Sequence, residues 1–480
     1  MTTLVWFRED LRLFDNPALH FAASKGDIIP VFIYPEGLGG ASYWWLNQSL
    51  KTLISSFADH GIELILKKGK PEKILPKLAN KTSATAIVWN RVYSPKGIEQ
   101  GAQIKRAFCE SDIHLQSFNG QLLIEPSKVL NKQGLPYKVF TPFWRYCTSI
   151  LNPSDVLPIP KLTQTGLTQN KQAELSSLSD SLGDWGLHPT QPDWSRGLAE
   201  RWQPGEQGAQ QRLTLFLENA ASNYKDGRDF PSQHNTSYLA PHLAFGEISA
   251  KQIWFDTHQA INTGVLDATN GNKFLSEIGW REFSRYLLVH FPQMITSAFN
   301  QKFDQFPWQD SPDLLNAWQR GQTGYPIVDA GMRELWHTGY MHNRVRMISA
   351  SFLTKHCLTH WQAGMDWFWE TLVDADIANN TASWQWVSGC GADAAPYFRI
   401  FNPILQGEKF DKQGDYIKKW IPELADLSPK LIHKPWQADP LSLQQANVQL
   451  GVNYPHPIVD HKEAREQALS AYTALKNSLI

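Results

Sequence analysis

Short β-branched and aromatic runs, Thr3–Phe7, Ile28–Tyr34, Ile62–Leu66, Ala86–Trp89 and Ile113–Phe118, alternate with amphipathic stretches over the first 120 residues. That alternation predicts five strands separated by helices, which is the pattern of a parallel α/β sheet. Asn16 ahead of Pro17 reads as a capped helix start and Gly26 as its stop; Ser42 to His60 likewise ends at Gly61. A dinucleotide-binding sheet would carry a glycine-rich loop after its first strand, but Arg8, Glu9, Asp10, Leu11 and Arg12 stand there. Whatever this Rossmann-like sheet binds is expected elsewhere.

From Leu151 to Gly205 the chain is rich in Pro, Ser, Gln and Gly, with Pro153, Pro158, Pro160, Pro189, Pro192 and Pro204 too close together for long helices. Beyond Glu206 the period changes. Gln211–Ala221, Asn272–His290, Leu314–Arg320, Ile327–Thr338, Arg344–His356 and Gly364–Val373 carry apolar residues at helical spacing. The domains read from this are an α/β domain at 1–130, an interdomain connection at 131–205, and an all-α domain at 206–480.

Composition narrows the classes. The chain has 480 residues, enough for several domains, and its 45 basic against 46 acidic side chains leave a net charge of −1. No global basic field advertises nucleic acid, so such a partner would have to meet a local patch. Four scattered cysteines without CxxC spacing suggest neither zinc nor a disulfide framework. With no long apolar run, the chain reads as soluble and cytoplasmic, without a membrane partner. Twenty tryptophans are far more than ordinary composition supplies.

Some of them sit beside polar residues. Glu277 and Trp280 are three apart, and Asn343 and Met347 four apart, so each pair shares a helix face. They could line a pocket; equally, Trp280 and Met347 could fill a core with Glu277 and Asn343 solvated. A second cluster runs from Asp374 through Asp376, Asn379 and Asn380 to Trp384 and Trp386. Asp374 and Asp376 have no third ligand nearby, so a metal is not expected; acids capping a helix start explain them as well. Two residues apart on a helix, Trp384 and Trp386 point about 200° from each other. Thr236 and Ser237 could open a helix and offer hydroxyl and N–H groups to a phosphate, although this is also a common cap.

The stretches Leu4–Arg12 (LVWFREDLR), Asp15–Leu19 (DNPAL), Trp280–Phe283 (WREF), Gly324–Ala330 (GYPIVDA), Met341–Met347 (MHNRVRM) and Asp374–Pro403 together resemble the photolyase/cryptochrome family, in particular its members that repair cyclobutane pyrimidine dimers. The resemblance spans essentially the whole chain. It implies a lyase that uses light and reduced anionic FAD to split dimers in double- or single-stranded DNA, acting as a monomer and joining the nucleoid when bound to damage. By match of motif, Tyr224, Thr236, Ser237, Tyr238, Leu239 and Ala240 would contact the FAD phosphates and ribityl chain. Asp374 and Asp376 would lie near the ribityl and ring portions, Arg346 would pair with Asp374, and Asn380 would face the flavin N5.

The resemblance also implies a lesion pocket lined by Glu277, Trp280, Asn343, Met347 and Trp386. There the two indoles would stack on the flipped dimer, and Glu277, if protonated, would donate to a pyrimidine carbonyl. Arg228, Arg344, Arg399 and Gln406 match positions that touch DNA, and Trp384, Trp361 and Trp308 match an electron-supplying tryptophan chain. The implied antenna is methenyltetrahydrofolate, then a deazaflavin, then none. Repair of the (6-4) photoproduct would need a histidine at Asn343, and a cryptochrome photoreceptor remains the other alternative.

Overall fold

The computed structural model describes residues 1–151, 156–162, 164, 175–394 and 398–477. Pro153 of the proline-rich connection, and residues 395–397 within the Asp374–Pro403 motif, lie outside the described residues. By internal packing the chain forms two compact units, one of Met1–Ser222 with Ser237–Pro292, the other of Asn223–Thr236 with Gln293–Ile480.

In the first unit, strands β1 (Thr2–Phe7), β2 (Asp27–Ile33), β3 (Ile65–Lys67), β4 (Ala86–Asn90) and β5 (His114–Phe118) form a parallel sheet of order β3-β2-β1-β4-β5. Leu4 stands opposite Ile29 on one side and Ile87 on the other. The central strands are buried on both faces, as the helices α1 (Pro17–Lys25), α2 (Gly40–Ala58), α3 (Pro71–Thr82) and α4 (Pro95–Ala107) require. Asn16 caps α1 by accepting the Leu19 N–H at 3.1 Å. Gly26 ends it at φ +134°, where a Cβ would lie 2.7 Å from the Met1 carbonyl.

The first unit takes in residues on both sides of positions 130 and 205, and long-range hydrogen bonds hold them together. The Glu206 carboxylate accepts the N–H groups of Leu13 and Phe14 at 2.8 Å each. Arg12 donates to the Gly246 carbonyl at 2.9 Å, and the Trp45 indole donates to Glu247 at 3.0 Å. The expected connection also contains a real helix, α5 (Phe140–Ile150), whose Phe143 packs on Phe283 and Tyr286 of α6 (Ala268–His290) at 5.0 and 4.8 Å.

At the carboxyl ends of β1 and β4, where the sheet order switches, side chains fill the crevice. Arg8 donates to the carbonyls of Asn90 and Gly97 at 3.1 and 3.2 Å, while Asp10 accepts the Arg8 N–H at 2.6 Å and the Asn90 amide at 2.7 Å. Burial pushes the Asp10 carboxyl up and the Arg8 guanidinium down to about 10. The sequence that replaces a glycine loop has thus become a buried polar knot.

The second unit is helical. Its core gathers Trp318, Trp361, Trp384, Ile348 and Phe352 with the helices α7 (Asn343–Ser351), α8 (Trp361–Thr371), α9 (Ile377–Ser388) and α10 (His461–Asn477). The segment expected as one helix, Arg344–His356, is α7 followed by a π turn at Phe352–His356. Asp329 explains part of the GYPIVDA stretch: it is buried and accepts from Thr323 N–H and Oγ1, Gly324 N–H and the Tyr454 hydroxyl at 2.6–3.0 Å. Among the described residues no helix is long and apolar enough to cross a membrane, and no group of metal-ligating side chains is present.

Candidate functional site

In the second unit, α9 organises the candidate residues. Asp376 caps it by accepting the Asn379 N–H at 2.8 Å, and Gly389 ends it in the left-handed region. Asn380, buried, donates its amide to the Met365 carbonyl at 2.9 Å. One turn on, Trp384 is 2% exposed, set edge-on to Phe368 and Trp318 at 5.0 and 6.0 Å, and its Nε1–H has no hydrogen-bond partner. Trp386 leaves the opposite side, half-buried, donating to the Asp393 carbonyl at 3.1 Å.

Asp374, just before α9, receives Arg346 Nη2 at 2.9 and 3.1 Å, while Arg346 Nε donates to the Met341 carbonyl at 2.7 Å. Burial opposes the guanidinium's charge, but Asp374, Tyr340 and Glu334 outweigh it and hold the arginine above its ordinary pKa. Trp361 is buried in the core. Trp308 is partly buried, and the His360 ring lies 5.2 Å from it and 5.4 Å from Trp361.

A basic group lies on the same unit. Arg344 donates to Asp229 at 2.9 Å and lies 4.4 Å over the Phe410 ring, and Arg228 is 3.9 Å from the same carboxylate and 5.7 Å from the Tyr224 ring. His342 caps α7 through Nδ1, which accepts the Arg344 N–H at 3.2 Å; burial pushes this imidazole down to about 4, so it is neutral. Asn343 is exposed and Met347 half-buried on α7. Arg399 is exposed against Phe401, and Gln406 is half-buried with its Oε1 unpartnered.

In the first unit, Glu277 and Trp280 share a face of α6. Trp280 stacks on Phe140 with ring centroids 3.8 Å apart and planes 10° from parallel. The expected proton-donating role of Glu277 meets a competing neighbour, because Lys273 Nζ lies 3.0 Å from Glu277 Oε1. Thr236 and Ser237 do not open a helix: the next one is Ala240–Ala244, after Tyr238 takes φ +53° and Ser237 Oγ accepts the Leu239 N–H at 3.4 Å. Arg201 and Arg212 both approach the Tyr238 ring, their guanidinium groups 4.4 and 5.6 Å from its centre, and Leu239 is buried.

Residues 3–162 match the family model described as DNA photolyase, and residues 274–474 match the FAD binding domain of DNA photolyase. A deoxyribodipyrimidine photo-lyase of Agrobacterium fabrum is 49% identical over 99% of this chain and 98% of its own length. The chain belongs to the DNA photolyase family. Cryptochrome-2 of Arabidopsis thaliana is 38% identical over 100% of this chain and 80% of its own length. The crystal structure of a class III photolyase from Agrobacterium tumefaciens superimposes with a TM-score of 0.95 at 48% identity, covering 99% of this chain and 98% of that one.

Arg346, Asp374, Asp376 and Asn380 fall within the matched FAD-binding domain. Thr236 Oγ1 is buried without a hydrogen-bond partner, and a hydroxyl in that state suits a ligand acceptor. The fixed Arg346–Asp374 pair adds a charged, geometrically defined edge. The donor set fits the cofactor.

Three neighbours escaped the sequence reading: Lys273 beside Glu277, Phe140 under Trp280, and Asp229 between two arginines. Only Lys273 left a usable signal there, its i,i+4 spacing to Glu277.

Proposed function

We propose that this photolyase-family protein repairs cyclobutane pyrimidine dimers in DNA, acting as a monomer. Bound in reduced form, FAD would supply, on absorbing blue or near-ultraviolet light, a single electron that opens the dimer and is returned once the two inter-base bonds have broken, with no net change of redox state. Arg346, Asp374, Asp376, Asn380, Tyr224, Thr236, Ser237, Tyr238, Leu239 and Ala240 hold the cofactor. Trp280 and Trp386 stack on the extruded dimer, whose poor stacking in the duplex lowers the cost of flipping it. Asn343, Met347 and Glu277 contact its edges. Arg228, Arg344, Arg399 and Gln406 meet the DNA backbone, which gives the sequence-independent affinity that a lesion in any context demands. Trp384, Trp361 and Trp308 pass electrons inward to restore the reduced cofactor. In this reading 1–130 is the antenna domain and 206–480 the FAD and DNA domain, joined by 131–205.

The observation that carries this reading is the side-chain set on α9 and α7: Asn380 and Trp386 on one helix and Asn343, not histidine, on the other. Asn343 speaks against (6-4) photoproduct repair. Kinship with cryptochrome-2 favours one second reading, a blue-light photoreceptor. Illuminating dimer-containing oligonucleotides with the purified reduced protein separates the two: recovered undamaged bases support repair, and none overturns it. The antenna is proposed as methenyltetrahydrofolate, ahead of a deazaflavin; the absorption spectrum distinguishes them, the folate absorbing in the near ultraviolet and the deazaflavin further into the blue.

A further inference from the structure

We propose that Lys273 is a specificity-determining residue for the lesion, acting with Glu277 as a two-part reader of the pyrimidine imide edge; the inference rests on the dimer-repair reading above. Lys273, Glu277 and Trp280 fall at i, i+4 and i+7 of α6, one stripe of one helix. Along that stripe the ammonium is 3.0 Å from the carboxylate, and both side chains are partly exposed, at 38% and 26%. Next to them the indole has one face covered by Phe140.

Helix stability does not account for the pair. A lysine that precedes a glutamate by four residues is the weaker order on a helix, and partly exposed pairs of this kind contribute little. The chemistry of the lesion does. Saturating the C5–C6 bond of a pyrimidine leaves its imide edge intact, with an N3–H donor flanked by carbonyl acceptors. A carboxylate accepts the N3–H, and an ammonium beside it donates to the C4 carbonyl, so the two charges present the complementary pattern. This removes the need for a protonated Glu277: Lys273 brings the proton that the carbonyl requires. Trp280 supplies the stacking surface on the same stripe.

The test is binding of matched duplexes, with and without one thymine dimer, by full-length wild type, Lys273→Met, Lys273→Gln and Lys273→Arg, read by fluorescence anisotropy in the dark over a range of salt. Lys273→Met and Lys273→Gln should weaken dimer binding about ten- to a hundredfold while undamaged duplex changes less than about twofold, and Lys273→Arg should restore most of the loss. Melting temperatures check that each variant folds, and Lys273→Gln, which keeps a polar end without the charge, carries the test if Lys273→Met does not. Equal weakening on both duplexes, with a salt slope shallower by about one, would make Lys273 a phosphate contact and overturn the proposal. Unchanged affinities would overturn it too. A wild type that does not distinguish the two duplexes would defeat the repair reading itself, and the inference with it.

Discussion

The close approach of Gly364 to Trp384 allows a sharp test of how the buried indole is held. A Cβ added at Gly364 would lie 2.0 Å from Cη2 of Trp384, and 2.4 and 2.6 Å from Cζ3 and Cζ2. Ordinary carbon contacts need about 3.5 Å, so Gly364→Ala must drive the outer ring away by roughly 1.5 Å. Trp384 is 2% exposed, with Phe368 and Trp318 against it, and has little room to yield. Overpacking of this sort costs about 1–3 kcal/mol. Replacing glycine inside α8 returns up to about 1 kcal/mol of helix propensity. With a contact as short as 2.0 Å the cost falls in the upper part of that range, so the net expectation is a loss of about 1–2 kcal/mol, or a melting temperature lower by some 2–8 °C for a unit of this size.

Trp384→Phe removes the atoms that clash. Combined with Gly364→Ala it should therefore melt higher than additivity predicts, by a coupling of about 1–3 kcal/mol. The assay is thermal unfolding of the four proteins by circular dichroism. A Gly364→Ala protein as stable as wild type, or strict additivity in the double variant, would refute the packing argument.

Two other predictions concern buried bases. Lys355 is fully buried on the π turn, has no hydrogen-bond partner, and lies 3.6 Å over the Phe398 ring; burial pushes its ammonium down to about 7. Between that value and the ~10.4 of an unfolded lysine the unfolded chain binds the extra proton, so this group makes stability rise with pH, by up to about 1.4 kcal/mol per unit. Lys355→Met should remove that component in a comparison of denaturant unfolding from pH 7 to 10; identical slopes would contradict it. His356 and His461 share a hydrogen bond at 2.8 Å, and burial holds His356 down to about 3, so it stays neutral. His461→Ala should strand the buried imidazole nitrogen at a cost of about 1–3 kcal/mol and speed hydrogen exchange in α10, and unchanged exchange there would show that the hydrogen bond does not hold the start of that helix.

Much of the fold was legible because its signals are local. Asn16 and Pro17 announce α1 through capping and a missing donor, and the β-branched runs announce the sheet through burial on both faces. β3 was read too long, as Ile62–Leu66, because only Ile65–Lys67 find partners, on β2, at this edge of the sheet. The helix expected at Thr236 failed on one dihedral angle, the positive φ of Tyr238, which residue type does not announce. The unit boundaries were illegible for another reason: Glu206 with Leu13, and Arg12 with Gly246, bond across about 200 positions or more. The site divides the same way. Spacing put Glu277 with Trp280 and Asn343 with Met347, but the Asp374–Arg346 and Asp229–Arg344 pairs join separate segments, which periodicity does not connect.

The geometry of α9 has a consequence for how this chain can change. Asn380 and Trp384, four apart, look to one side of the helix, while Trp386 looks to the other, so the helix is a wall with a different set of side chains on each side. Inserting one residue before Trp384 would turn everything after it by about 100° while removing no side chain. The caps at Asp376 and Gly389 fix the length of that wall. A point substitution can therefore alter one side and leave the other as it is, whereas a change of length would swing Trp384 and Trp386 together off their present sides and out of line with Asn380.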